Sequence, residues 1–347
     1  MKIAFIHDWL VSPGWAEKVF FDIIQDVLTK NENSKIYQNL KQFWNTNNIE
    51  SEIFTNFYQS NFPNPTKLKI NSVLNWKIDK YYRNLLPIFP IFTKLLSKQI
   101  QEYNPDILII SSFSIWKNID SNKIKILYLH SPMQYIWSHY NEYLDKFSWI
   151  KKIIFKVSSK YLKTRDKKYT NFNKIYFNSN YTKQLTKQIY NIENWEIIFP
   201  KVEIPNYKKI NIIQKYNLKK DYFLFIGRTV KFVKHLDKII KTFNKIWKEL
   251  VIVWDWPDKQ YLQNIANKNI KFLWYISSNN DDYRNLIENS KAVINLTKES
   301  FWIVNFQVGK IWKTLISIND GAIQDIPWKK ILLNNFDELE KNILLFP

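Results

Sequence analysis

Ala292-Val-Ile-Asn-Leu-Thr297 runs into Lys298, Glu299, Ser300, Phe301 and Trp302, and then into Ile303-Val304-Asn-Phe-Gln307-Val-Gly-Lys-Ile311. The first six residues are a short apolar run and read as a buried strand. Ile303 to Ile311 can carry a helix. A polar loop at the carboxyl end of a parallel strand, feeding a helix N-terminus, is where α/β proteins bind anionic ligands. Glu299 sits at the mouth of that site, and Gln307 lies about two helical turns deeper on a similar face. The spacing suits two side chains that hold the hydroxyls of a sugar and of a ribose.

Strands and helices alternate on both sides of this block. Downstream comes a strand from Thr314 to Ile318. Upstream, the pattern predicts strands at Phe223–Ile226, Leu250–Val253 and Lys271–Tyr275, with helices at His235–Trp247, Lys259–Ala266 and Asp282–Ser290. The polar segment Pro205–Lys220 reads as a joint, dividing the chain into residues 1–204 and 205–347. The first part opens on a buried-type strand, Lys2–His7, a turn at Gly14 and Trp15, and a helix over Ala16–Lys30. That helix places Val19, Phe20, Ile23, Ile24, Val27 and Leu28 on one face. Its N-terminus can face a diphosphate provided residue 15 is small. Further strands are expected at Asp106–Ser112, Lys125–His130 and Lys174–Ser179. Both halves therefore read as Rossmann-like α/β units.

The 347 residues suit two domains, and a hydrophobic content of 46% supports sizeable cores. With 51 basic and 31 acidic residues the net charge is +20. Such a charge attracts nucleic acid, anionic membranes or phosphorylated substrates. The abundance of Lys, Asn, Ile, Phe and Tyr points to AT-rich codon usage as its main source. No zinc-finger, RNP or basic-region signature accompanies it, so no nucleic-acid partner is expected. The chain has no cysteine, which excludes disulfides, thiolate nucleophiles and cysteine zinc sites, and fits a reducing cytoplasm. The N-terminal apolar run is too short for a signal peptide, and no run approaches about 18 apolar residues, so no membrane span is expected. Ser148–Tyr169 reads as a basic amphipathic helix, with seven lysines among Ile150, Ile153, Ile154, Val157 and Leu162. Such a helix more often packs with a solvated face, but it can also lie on an anionic bilayer at the inner membrane face.

Glu299-Ser-Phe-Trp-Ile-Val…Gln307…Trp312-Lys-Thr-Leu-Ile resembles the E-x-F-G-I-V-x-x-E…G-x-P-V-I block of family 4 glycosyltransferases. Gln307 stands for the second Glu, Trp302 and Trp312 for the glycines, and Thr314 for the proline. Other stretches carry the resemblance over most of the chain. Leu129-His130-Ser-Pro-Met-Gln-Tyr-Ile-Trp137 resembles H-T-P-M-R-Y-x-W of a mannosyltransferase subgroup that acts on lipid-linked surface polysaccharides. Gly14-Trp15-Ala-Glu-Lys18 resembles G-G-A-E-K, Val253-Trp254-Asp-Trp256-Pro resembles V-G-D-G-P, and Phe272-Leu-Trp274-Tyr resembles F-L-G-x. Gly227-Arg228…Lys234 resembles G-R-x4-K with one residue inserted, so that Lys231 could serve in place of Lys234. Tyr81-Tyr-Arg83…Pro87, Phe177-Asn-Ser179 and Glu196…Val202 match weaker segments. Against the family pattern the sequence ends early, at Leu345-Phe-Pro347, and the resemblance leads to the expectation that the family's C-terminal helix is absent or truncated.

Glycine occurs 4 times and tryptophan 15 times, against an ordinary glycine usage of about 7%. A phosphate-binding α/β fold without glycine lacks its tight turns and close backbone approaches. The resemblance places Trp at glycine positions repeatedly, which fits a source that reads UGA as glycine. On this reading residues 15, 76, 116, 195, 247, 254, 256, 274, 302, 312 and 328 are natively Gly. Trp9 and Trp137 match Trp in the family, and Trp44 and Trp149 stay open.

The resemblance implies a GT-B architecture, two facing Rossmann-like domains with parallel sheets. It implies a retaining hexosyltransferase that uses a nucleotide-diphosphate sugar, GDP-mannose favoured, and a glycan or lipid-linked acceptor. No cofactor or metal ion is implied. In that scheme His130 and Glu299 hold the donor sugar, and Arg228 and Lys234 stabilise the departing diphosphate. Gln307 takes the ribose, and the helix N-termini after Gly14-Trp15 and Trp302-Ile303-Val304 face the phosphates. Other readings are a GT-B nucleotide-sugar epimerase, an inactive paralogue, and a basic nucleic-acid binder.

Overall fold

Parallel strands buried on both faces set the architecture. The computed structural model describes residues 1–43, 48–75, 85, 87–114, 116–145, 147–168, 170–192, 195–228, 234–255, 259–301 and 303–346. Of residues 116, 228, 254, 255 and 259 it describes the backbone alone. The chain forms two compact units, Met1–Lys201 and Val202–Pro347, where the sequence suggests a joint after 204. Tyr81–Arg83, Lys231, Trp256 and Trp302 lie outside the described residues.

The first unit holds strands β1 (Lys2–Leu10), β2 (Glu50–Tyr58), β3 (Ile70–Asn75), β4 (Ile107–Ser112), β5 (Ile124–Leu129), β6 (Lys174–Phe177) and β7 (Glu196–Ile197). They form one parallel sheet in the order β3-β2-β1-β4-β5-β6-β7. Side chains alternate across a strand. Ala4 and Ile6 therefore enter one core with Leu96 and Ile100, while Ile3 and Phe5 enter the other with Phe20 and Ile24. The helices are α1 (Trp15–Leu28), α2 (Lys35–Lys41), α3 (Phe89–Tyr103), α4 (Tyr140–Asp145), α5 (Trp149–Asp166) and α6 (Asn180–Tyr190). The expected apolar face of α1 packs into the second core, with Leu28 only partly covered.

The second unit begins with the segment expected to be a joint, and this segment packs onto the unit itself. Lys208 N–H donates to Asp281 Oδ1 at 2.9 Å, and Lys215 Nζ meets Asp282 Oδ2 at 2.6 Å. After α7 (Ile212–Lys215) come β8 (Phe223–Arg228), α8 (Leu236–Ile246), β9 (Leu250–Asp255), α9 (Lys259–Ile265), β10 (Ile270–Leu273) and α10 (Asp281–Asn289). Then follow β11 (Val293–Asn295), α11 (Ile303–Lys310), β12 (Leu315–Ile318), β13 (Lys330–Leu333) and α12 (Glu338–Leu344). The parallel sheet runs β10-β9-β8-β11-β12-β13. In both sheets the strand order reverses beside the first strand, at β1/β4 and at β8/β11. Open α/β sheets bind ligands at that reversal, beyond the carboxyl ends of the strands.

Several helices end in the left-handed conformation, which glycine adopts most cheaply and asparagine next. Asn104 and Asn191 take that place after α3 and α6, whereas Trp247 (φ 56°) and Trp312 (φ 59°) take it after α8 and α11. Both indoles stand largely in solvent, at 61% and 77% exposure. Trp328 presses its ring on Gly309, 2.1 Å from where a Cβ would stand.

Candidate functional site

At the reversal of the second sheet, Thr297 to Phe301 connects β11 to α11. Asn295 fixes this loop from both sides: its Oδ1 accepts from Thr297 N–H at 3.0 Å, and its Nδ2 donates to Asn305 Oδ1 at 2.8 Å. Phe301 is fully buried and stacks on Phe306 with ring centroids 4.5 Å apart. From β12, the turn at Gly321 comes up against Glu299. Ala322 N–H donates to the Glu299 carbonyl at 2.8 Å, and Gly321 has φ 81° and ψ −160°, a region open essentially to glycine alone. A Cβ there would lie 2.7 Å from Glu299 O and 2.8 Å from Glu299 N. Only a bare backbone lets the two loops approach this closely.

The anchored Glu299 forms an ion pair through Oε1 with Lys234 Nζ. Lys234 is buried, and the Glu299 side chain keeps 22% of its exposure. Thr297, Glu299, Asn305, Phe306, Ala322 and Ile323 line a small cavity there. Arg228 closes β8, in register with Asp255 on β9, with its side chain outside the described residues. Gln307 lies inside α11, 5% exposed. Its Oε1 accepts from Tyr283 Oη at 2.7 Å, and its Nε2 donates to the Glu203 carbonyl at 3.3 Å. Burial raises the Tyr283 phenol pKa, so it stays the donor. Ile303 and Val304 open α11 and are half-buried.

The first unit brings a second group together at its own reversal. His130 follows β5 and is fully buried, and its carbonyl accepts from Asn178 Nδ2 at 2.8 Å and from Thr182 Oγ1 at 3.2 Å. Ser111 Oγ lies 2.7 Å from His130 Nε2 and 3.2 Å from His7 Nδ1, so one hydroxyl bridges two imidazoles. The Ser111 carbonyl can only accept, so His7 Nδ1 donates in its 3.0 Å contact there. Burial first, and then the nearby His7 ring, hold the His130 pKa well below the usual imidazole value. Among the described residues, His130 Nδ1 and His7 Nε2 have no hydrogen-bond partner; Glu17 Oε1 stands 3.9 Å from the latter. Buried polar atoms are rarely left unpaired without a reason, and a ligand is one. Gly14 caps α1 in an extended conformation that any residue can adopt, and the Trp15 ring stands edge-on to His130 with centroids 5.0 Å apart.

The residues expected to act thus fall into two groups, one per unit: Gly14, Trp15 and His130 in the first, Lys234, Glu299, Gln307 and the α11 N-terminus in the second. His7, Ser111, Asn178, Tyr283 and Gly321 are additions from the structure. Among the described residues no three His, Asp or Glu side chains gather to hold a metal ion, and no helix is long and apolar enough to cross a membrane.

No protein-family profile matches the chain, and no curated protein sequence does. Solved structures match its fold. The lipopolysaccharide outer core galactosyltransferase WaaB is 15% identical with a TM-score of 0.60, over 99% of this chain and 89% of that one. HepE of Anabaena in complex with UDP-glucose is 15% identical with a TM-score of 0.61, over the same shares. A Listeria monocytogenes protein assigned as a UDP-N-acetylglucosamine 2-epimerase is 11% identical with a TM-score of 0.55, over 99% and 87%. The fold is that of GT-B proteins, two Rossmann-like domains with parallel sheets.

Proposed function

We propose that this chain is a retaining glycosyltransferase that moves a hexose, mannose favoured, from a nucleotide-diphosphate sugar to a glycan or lipid-linked acceptor without a metal ion. The supporting observation is the Lys234–Glu299 pair at the β8/β11 reversal, where a carboxylate and a buried cation meet beside a helix start. An incoming diphosphate draws Lys234 and Arg228 to its oxygens, which frees Glu299 for the sugar hydroxyls. The bond from the anomeric carbon to the diphosphate oxygen then breaks, with its electron pair leaving on the diphosphate. Positive charge grows on the ring, while Lys234, Arg228 and the α11 N-terminus stabilise the departing anion. The acceptor hydroxyl oxygen bonds to the anomeric carbon and gives its proton to the diphosphate. His130 contacts the donor sugar, and Gln307 the ribose side.

We propose in addition that the eleven tryptophans named above stand where the native residue is glycine. The left-handed, solvent-exposed Trp247 and Trp312 and the Trp328 ring against Gly309 support this reading. With glycine at 15, the space beside His130 now taken by the indole becomes available to a ligand. UGG codons at 254, 256 and 302 overturn it.

The deciding assay incubates the glycine-restored protein with GDP-mannose, UDP-glucose and related donors, with and without EDTA and a glycan acceptor. Release of nucleoside diphosphate that depends on acceptor, resists EDTA and yields a product of unchanged anomeric configuration is expected. Conversion of the donor to its epimer without acceptor identifies the epimerase instead, a reading favoured by the fold shared with the Listeria protein.

A further inference from the structure

Helix α5 presents two opposite faces. Phe155, Ser159, Leu162 and Asp166, spaced by three or four residues, are buried. Val157 stands two residues from both Phe155 and Ser159, about 200° round the helix from them. Around it, Ile150, Ile153, Ile154 and Tyr161 form an apolar stripe turned away from the core. Ile153 is 53% exposed and Val157 66%. The stripe stands whether residue 149 is Trp or Gly. Soluble helices turn this face inward, so an outward stripe of large apolar side chains calls for a cover.

Charge identifies the cover. Lys152, Lys156, Lys160 and Lys163 run along one edge of the stripe, and Lys151 along the other. The one carboxylate of the helix, Asp166, is turned inward to Lys117, Trp137 and Tyr190. On the lysine edge lies a cleft of about 350 Å³, lined by Lys156, Lys160, Lys163 and Lys167 together with Trp137 and Tyr140. Lys163 Nζ stands 4.5 Å from the Tyr140 ring centre and 5.0 Å from that of Trp137; Lys167 Nζ is 5.4 Å from Trp137. These contacts position the cations without neutralising them. Burial, and then Lys167, lower the Lys163 pKa, a cost that an anion in the cleft removes. A second copy packed on this face about a two-fold axis would bring lysine against lysine. A nucleic-acid duplex needs cations at the centre of its footprint, where this surface has isoleucine and valine.

We propose that α5 lies in the interface of an anionic phospholipid bilayer, its apolar stripe at the acyl-chain boundary and its lysine cleft around a headgroup phosphate. An in-plane helix of this kind combines apolar burial with attraction to anionic lipid.

Flotation with vesicles tests it. Phosphatidylcholine vesicles with about one third phosphatidylglycerol should bind the full chain at least about tenfold better than phosphatidylcholine alone, and less well in high salt. Ile153→Gln with Val157→Gln keeps the charge and should reduce binding about tenfold. Lys156→Gln, Lys160→Gln and Lys163→Gln together should lose at least about tenfold, while the charge-matched Lys238→Gln, Lys241→Gln and Lys245→Gln on α8 should lose less than about threefold. Thermal unfolding and circular dichroism verify that each variant is folded. Equal losses from both lysine triples, or unchanged binding by the glutamine pair, reduce the effect to net charge and overturn the proposal. So does a dimer that the glutamine pair dissociates, or DNA binding lost with the α5 lysines, when no vesicle binding is seen. Indifference of the wild-type chain to anionic vesicles overturns it without any variant.

Discussion

Trp312 ends α11 in a Schellman turn: Lys313 N–H bonds to the Val308 carbonyl at 3.1 Å while residue 312 itself is left-handed. Glycine fits that place without a Cβ penalty. Trp312→Gly should therefore stabilise the protein by about 1 kcal/mol, raising Tm by about 2–4 °C in a thermal melt of a unit this size; Trp247→Gly should act alike. His130 gives a second expectation. Its folded pKa lies below the unfolded value, so it contributes full stability above about pH 6.5, and that stability is lost as the pH falls. Urea unfolding at about pH 7.5 and 5.5 should show His130→Gln with a shallower decline than wild type, the difference being at most about 1.4 kcal/mol per pH unit. Lys234→Met should leave the fold intact and lower transfer about 100-fold or more, measured as kcat with the preferred donor.

At the scale of elements, the turn after β12 does as much for the site as the loop it braces. Gly321→Ala should cost about 2 kcal/mol or more, because the new methyl meets Glu299 backbone at a φ and ψ that alanine avoids. Donor affinity, read by calorimetry, should fall in the same variant, since Glu299 cannot keep its place when the turn moves. A variant that loses stability but binds donor unchanged would separate the two loops. Asn295 works from within the strand, tying loop and helix together so that Glu299 projects from a fixed base.

At the scale of the whole molecule, each unit carries its own sheet and its own core, so residues 202–347 expressed alone should show a cooperative melt. The parallel sheets were legible wherever strands are buried on both faces, as in Ile107–Ser112, because such strands read as apolar runs. β2 was not legible: Glu50, Ser51, Glu52, Thr55 and Asn56 interrupt it, yet Thr55 and Asn56 are fully buried. β3 is a half-exposed sheet edge with little apolar signal. Glu299 and Lys234 could be found through a family pattern. Ser111, Asn178 and Gly321 could not, since each acts on a residue 19 or more positions away in sequence, and only the fold brings them together.

Glu299 and Lys234 satisfy one another, and on the proposed reading this pair works as a latch with two keys. A free hexose offers hydroxyl donors to the carboxylate but no countercharge to the ammonium, and inorganic diphosphate offers the countercharge but no such donors; either one leaves half of the broken pair poorly compensated. A molecule bearing both groups opens it without that loss. Discrimination against the fragments then comes from the resting state, and mannose or diphosphate added singly should compete far more weakly than the intact conjugate.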